Sequence, residues 1–304
     1  MKKRGVLVMA YGAPDSMEDI EPFYTDIRGG RPPSTELLQE LIERYEAIGG
    51  KSPLLDITAR QASALEAQLG SDAFTAYVGM RHWKPSIPDT LRVMAEDGIE
   101  DAVAVVMAPH YSRMSIGKYL DIVDQALTEH ASGITMHKVQ QWHLEPAFIH
   151  ALEHRVHSAM KRFSADEQTS LRVLFTAHSL PERIREWNDP YPDQLLETSR
   201  KIAGDLQIKN WQFAYQSSGR TPEPWLGPDI IDVIDRSAEE GIEAILVCVV
   251  GFVSDHLEVL YDIDVEAKPA AEAKGLHLER IDMLNDDPGL IEALAGVVND
   301  AWEC

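Results

Sequence analysis

Residues 6–14 read VLVMAYGAP and residues 173–181 read VLFTAHSLP, an offset of 167 that superposes Tyr11 on His178. Each stretch is an apolar run of β-branched and small residues that ends in a polar side chain and a proline. That is the pattern of a buried strand leaving its sheet. In open parallel sheets, ligands collect beyond the carboxyl ends of the strands, so Tyr11 and His178 are placed to face one cleft.

Outward from these two strands, apolar runs recur at residues 73–79, 101–108 and 134–139, and again at 211–216, 244–253 and 276–281. Helical patterns separate most of them. TELLQELIERYEAIG starts at Thr35, expected as its cap, and Gly49 is its expected stop; PDTLRVMAEDGI carries Pro88 near its start. Strands alternating with helices predict an α/β protein with parallel sheets. The halves repeat further: FTAYVGMRHWKP at Phe74 has a counterpart in WQFAYQSSGRTP at Trp211, and VAVVMAPHYS at Val103 in ILVCVVGFVS at Ile245. Two similar Rossmann-like lobes are therefore expected, residues 1–150 and 151–304, with a cleft between them. The polar stretch KRFSADEQTS is read as a linker or a surface loop.

Composition narrows the function classes. With 28 basic against 50 acidic residues the net charge is −22, which opposes binding to nucleic acid or anionic lipid. No apolar run approaches the roughly 20 residues that cross a bilayer, and the N-terminal apolar stretch is too short for a signal core, so a cytoplasmic protein is expected. The two cysteines, Cys248 in a buried run and Cys304 at the end, exclude a disulfide framework and a cysteine-rich cluster. Neither GxGxxG nor GxxxxGK[ST] follows a strand, and AHSLP lacks the glycines of a hydrolase elbow.

Two groups of residues can carry chemistry. GFVSDHLEVLYDIDVEAK follows the most apolar strand; Ser254 or Asp255 is expected to cap a helix whose Glu258, Asp262 and Glu266, four apart, stack on one face. Like charges at that spacing destabilise a helix unless a cation compensates them. An imidazole such as His178, both a metal ligand and a base near neutral pH, would combine well with such a carboxylate. Arg28, Arg31, Arg44 and Lys51, interleaved with Tyr24 and Tyr45, form a basic and aromatic stretch suited to a flat anionic ligand. Neighbouring glutamates could equally neutralise it. His150, His154 and His157 recur at helical spacing and are read as a solvated face without an acidic partner, and His130, His137 and His143 as surface or helix residues.

In this order, VLVMAYGAP, RYEAIGGKSPL, TAHSLP, YQSSGRTPEPWLGPD and GFVSDHLEVLYD resemble ferrochelatase over nearly the whole chain. Among its branches they are most similar to the soluble enzymes of Gram-positive bacteria that insert ferrous iron into coproporphyrin III. The resemblance implies two Rossmann-like lobes around a porphyrin cleft, with His178 and Glu258 binding Fe²⁺ and receiving the pyrrole protons. It places Tyr11 beneath the ring, able to ligate the inserted iron, and Arg28, Arg44, Tyr45, Ser52 and Tyr119 against the porphyrin. Asp262 and Glu266 would extend the path of iron or protons and could hold a second divalent cation. Fe²⁺ is then a substrate, no cofactor is required, and the cysteine count leaves no iron-sulfur cluster. A monomer is implied, with transient contact to an iron donor or a product acceptor. Gly29 stands where relatives can carry a second basic residue, so Arg31 could substitute. The rival readings are a protoporphyrin IX ferrochelatase, another tetrapyrrole chelatase, and a porphyrin carrier without turnover.

Overall fold

The computed structural model describes residues 3–219 and 221–303; Cys304 lies outside them. Eight strands form where the apolar runs lie. The first sheet contains β1 (Arg4–Ala10), β2 (Phe74–Met80), β3 (Asp101–Val106) and β4 (Thr135–Lys138); the second contains β5 (Arg172–His178), β6 (Trp211–Gln216), β7 (Ala244–Val249) and β8 (His277–Arg280). Both sheets are parallel, and their orders, β2-β1-β3-β4 and β6-β5-β7-β8, are the same topology used twice. Each sequence pairing made above joins strands at equivalent positions: β1 with β5, β2 with β6, β3 with β7.

The first lobe carries α1 (Ile20–Ile27), α2 (Thr35–Ala47), α3 (Leu54–Leu69), α4 (Ile87–Glu96) and α5 (Ile116–His130). Then follow α6 (Pro146–Met160), α7 (Ala165–Ser170), α8 (Tyr191–Asp205) and α9 (Ile230–Glu239). A continuous helical rod comes next, built of α10 (Leu257–Val259), a π-helical segment (Leu260–Ala267) and α11 (Lys268–Glu272), and the last helix is α12 (Pro288–Glu303). The polar stretch after α6 is ordered by a capping box, with Ser164 and Glu167 each satisfying the other's backbone N–H at the start of α7. The cap of α2 is Ser34, whose Oγ accepts from the Leu37 amide, and not Thr35, which is already helical.

Side-chain alternation divides the core into three parts. On β1, Val6 and Val8 point one way and Leu7 and Met9 the other; the latter pack with Leu91 of α4 and Ile116 of α5. On β5, Val173, Phe175 and Ala177 share an interior with Val6 and Val8, whereas Leu174 packs with Ile230 of α9 and Ile263 of the π-helix. The inner faces of both sheets thus belong to one apolar cluster, completed by Phe148 and Leu152 of α6 and Leu290 and Leu294 of α12. Removing a ring as enclosed as Phe175, which has no exposed surface, costs about 3–5 kcal/mol in such cores. Residue 150 falls inside α6, and α12 crosses back to pack on α3 and α6. No helix among the described residues is long and apolar enough to cross a membrane.

Candidate functional site

Tyr11 follows directly on β1 and His178 is the last residue of β5, so both stand at strand carboxyl ends, as the alignment of the two runs requires. The partner of His178 arrives through a close backbone approach. After β7 the chain turns at Gly251, whose N–H donates to the Thr176 carbonyl at 3.2 Å. A Cβ at this glycine would stand 2.4 Å from the Ala177 Cβ and 2.8 Å from its Cα, so only glycine lets the loop lie against β5 beside His178. Glu258 is thereby delivered with its Oε1 3.5 Å from His178 Nε2, the two side chains 34% and 29% exposed.

The helix that carries Glu258 begins differently from the sequence expectation. Its cap is His256, whose Nδ1 accepts from the Glu258 amide at 3.1 Å; Ser254 is buried and accepts from Gln61, while Asp255 pairs with Asn285 and Arg280. From Leu260 the rod widens into a π-helix, a form that concentrates at functional sites. Arg280 of β8 grips Asp264 of this segment through two hydrogen bonds of 2.8 and 2.9 Å.

His178 and Glu258 hold each other's protonation states. Burial of the imidazole opposes its charge, but the Glu258 carboxylate, its hydrogen bond and the Ser179 carbonyl outweigh that and raise the pKa to about 9. Burial likewise opposes the charge on Glu258, yet His178, His256 and Arg44 bring its pKa down to about 2. At neutral pH the resting pair is an imidazolium and a carboxylate. The imidazole is therefore not a free base near pH 7, as its residue type alone suggested.

Asp262 is nearly fully buried, and its pKa is pushed up to about 7, first by burial and then by Glu258, against the opposing pull of Arg44 and Ser217. Arg44, from α2 of the other lobe, reaches Asp262 at 2.7 Å and Glu266 at 3.6 Å, and lies 4.4 Å over the Tyr261 ring. The expected carboxylate ridge exists, and its compensating cation is this guanidinium, which bridges the two residues read as a secondary metal site. Among the described residues, no group of three or more metal-ligating side chains is assembled.

The N-terminal lobe brings three tyrosines within reach of the Glu258 charge. Tyr11 is 40% exposed as a whole residue, and its pKa is raised to about 12, first by desolvation of the phenol and then by the charge of Glu258. Tyr45 and Tyr119 are buried and also raised, first by burial, and both feel Glu258 and Tyr11. One electrostatic neighbourhood therefore joins Tyr11, Tyr45, Tyr119 and Arg44 to His178, Glu258 and Asp262. Ser52 is buried, its hydroxyl accepting from the Leu54 amide at the start of α3. The Arg28 guanidinium packs 5.8 Å over Tyr24, and Arg28 and Arg31 each donate a side-chain N–H to the other's carbonyl at 3.3 and 3.4 Å.

Several residues that the sequence reading passed over stand here too. Arg81, just past β2, lies 5.9 Å over Tyr11 and 5.4 Å over Tyr119. Gln216, the last residue of β6, donates to the Glu258 carbonyl at 2.9 Å, and Ser217 hydrogen-bonds Asp262. The strand-end rule, applied to β2 and β6 as it was to β1 and β5, finds them. Two histidine readings change. His143 is buried, paired with Glu197 at 2.9 Å, and His150 has an acidic partner in Glu153 at 3.5 Å. His150 and His154 line a separate concavity of about 550 Å³ with Glu145, Asp287 and Glu292, away from the cleft.

Comparison with known proteins gives the fold and the family. The chain has the fold of a sirohydrochlorin chelatase, SirB from Bacillus subtilis subspecies spizizenii, with a TM-score of 0.61 over 99% of this chain and 96% of that one at 10% identity. It is 44% identical to a ferrochelatase of Herpetosiphon aurantiacus over 97% of this chain and 98% of the relative. It is also 44% identical to the coproporphyrin III ferrochelatase of Bacillus subtilis, over 98% and 97% of the two chains. The ferrochelatase family model matches residues 3–302, and the chain belongs to the ferrochelatase family.

Proposed function

We propose that this ferrochelatase inserts Fe²⁺ into coproporphyrin III to give iron coproporphyrin, with His178 and Glu258 as the residues that receive iron. The observation that carries the reading is the convergence of His178 Nε2 and Glu258 Oε1 to 3.5 Å, with Tyr11 within reach of the Glu258 charge. Full-length relatives named coproporphyrin III ferrochelatase support the choice of ring.

Insertion exchanges one Fe²⁺ for two pyrrole protons. In the resting site His178 already holds a proton, which leaves to solvent by way of Asp262 as iron binds; when iron passes into the ring, the freed imidazole and the Glu258 carboxylate accept the two pyrrole protons. Asp262, with a pKa near 7, is suited to relay protons outward past Glu266. A second divalent ion at Asp262 and Glu266 would have to displace Arg44. Tyr11, a neutral phenol at pH 7, faces the ring and is available to the inserted iron.

The test is anaerobic incubation of the purified protein with Fe²⁺ and either coproporphyrin III or protoporphyrin IX, followed by porphyrin fluorescence and the Soret band. Conversion of coproporphyrin in preference to protoporphyrin is expected. The reverse preference would assign the protoporphyrin reaction, and tight binding without conversion would make the protein a carrier. His178→Ala is expected to bind porphyrin and not metallate it.

A further inference from the structure

The loop between β3 and α5 belongs to the first lobe, yet residues 110–113 of it are hydrogen-bonded to the second. The Asp189 carboxylate, only 8% exposed, accepts from the Ser112 hydroxyl at 3.0 Å and from the Arg113 amide at 2.8 Å, both through Oδ2. Its other oxygen accepts from the Tyr191 amide at 3.1 Å, in the first turn of α8. Asn188, in the left-handed region at φ 50°, makes the turn that brings Asp189 to this position. Further along α8, Gln194 accepts from the Tyr111 amide at 2.7 Å and Thr198 meets His110 at 2.9 Å, so the seam is polar along its length.

Tyr191 extends this seam to the reaction site. Its phenol donates to the backbone carbonyl of His178 at 3.0 Å, and burial holds its pKa well above the ordinary value, so it remains a donor. On the other side, the Met114 carbonyl, next in the same loop, accepts from Arg81, which covers Tyr11 and Tyr119. A continuous chain of contacts therefore runs from Tyr11 through Arg81, the 112–114 loop, Asp189 and Tyr191 to His178.

We infer that Asp189 and Tyr191 form an interlobe latch whose role is to set the position of His178 relative to the porphyrin wall of the opposite lobe. They are positioning residues: both are buried, and both act through the strand end that bears the histidine. The inference rests on His178 being the iron-receiving residue. A reacting group held by its own main chain is sensitive to loss of such a support, because displacements of about 1 Å can cost on the order of a hundredfold in rate.

The test uses the full chain as wild type, Tyr191→Phe, Asp189→Asn and the double variant, with Ser112→Ala as the mildest change at the same seam. Steady-state insertion should show kcat lowered about tenfold in Tyr191→Phe, with KM for coproporphyrin unchanged, as expected where a support acts only on the reacting geometry. If the two residues act in one chain, the double variant is no slower than the slower single one, whereas independent structural roles would multiply. The His178 ring proton resonance in the porphyrin-free protein should move in Tyr191→Phe and Ser112→Ala alike. Wild-type kcat in Tyr191→Phe, multiplying losses in the double variant, or an unmoved His178 resonance would each overturn the latch. An inactive wild type would overturn the ferrochelatase reading instead, and the resonance would still decide the latch.

Discussion

Arg44 and Asp262 are 218 positions apart in sequence and 2.7 Å apart in space, and they tie α2 of one lobe to the π-helix of the other. Despite this cation, the Asp262 carboxyl titrates near 7, because burial and the Glu258 charge act more strongly on it than Arg44 does. The sign of the stability effect follows. A carboxyl whose folded pKa exceeds its unfolded value binds more protons when folded, so its contribution is full below about pH 4 and is lost as pH rises through about 7. In Asp262→Asn nothing titrates at that position. The stability of this variant relative to wild type should rise with pH across this window and level off above it, as read from urea unfolding at a series of pH values. A flat difference would mean that Asp262 is charged throughout.

Glu258→Gln removes the charge that keeps His178 protonated and leaves the burial that opposes protonation. The His178 pKa should fall from about 9, with only the Ser179 carbonyl and Asp262 left to oppose burial, and NMR titration of the ring protons in the porphyrin-free protein measures it directly. Loss of a positioned acid–base group costs about 10²–10⁴ in rate, so the same variant should insert iron at least a hundredfold more slowly.

The eight strands were legible because each is buried, apolar and bounded by turn residues, and the repeat was legible because equivalent strands fill equivalent places. Tyr11, His178 and Glu258 were found by the same logic of strand ends. The π-helix was not legible: its sequence, LYDIDVEA, has ordinary helical periodicity, and its widening comes with Asp264 fastened to Arg280 and Asp262 to Arg44, both tertiary contacts. Arg44 was grouped with Arg28 and Arg31 because they are close in sequence, yet α2 carries it to Asp262 of the other lobe while Arg28, at the end of α1, packs on Tyr24. Tyr191 and Asp189 gave no signal, since a tyrosine and an aspartate at a helix start read as ordinary capping residues.

On the reading that His178 receives iron, entry requires a neutral imidazole, whereas the free protein holds it as imidazolium up to about pH 9. Under anaerobic conditions kcat/KM for Fe²⁺ should therefore rise with pH by up to about tenfold per unit until it levels near the His178 pKa, because only the neutral fraction is competent. Stopped-flow porphyrin fluorescence at subsaturating iron provides the profile. A maximum near pH 6.5 would show that porphyrin binding has already stripped the proton from the pair.

Gly251→Ala tests the origin of the site's geometry without touching a charged group. The added methyl would sit 2.4 Å from the Ala177 Cβ and 2.8 Å from its Cα, and neither is the far end of a flexible side chain, Ala177 being held in β5 by its pairing with Tyr215 of β6. The loop after β7 must then lift from the strand. Overpacking of this kind costs about 1–3 kcal/mol, which thermal unfolding would register as a lower midpoint. Glu258 is carried by the same loop, so its distance from His178 should grow and the electrostatic support of the imidazolium should weaken. A lowered His178 pKa together with reduced turnover is the expected pair of results. A destabilised variant that kept both at wild-type values would show that residues 252–257 absorb the shift before it reaches Glu258.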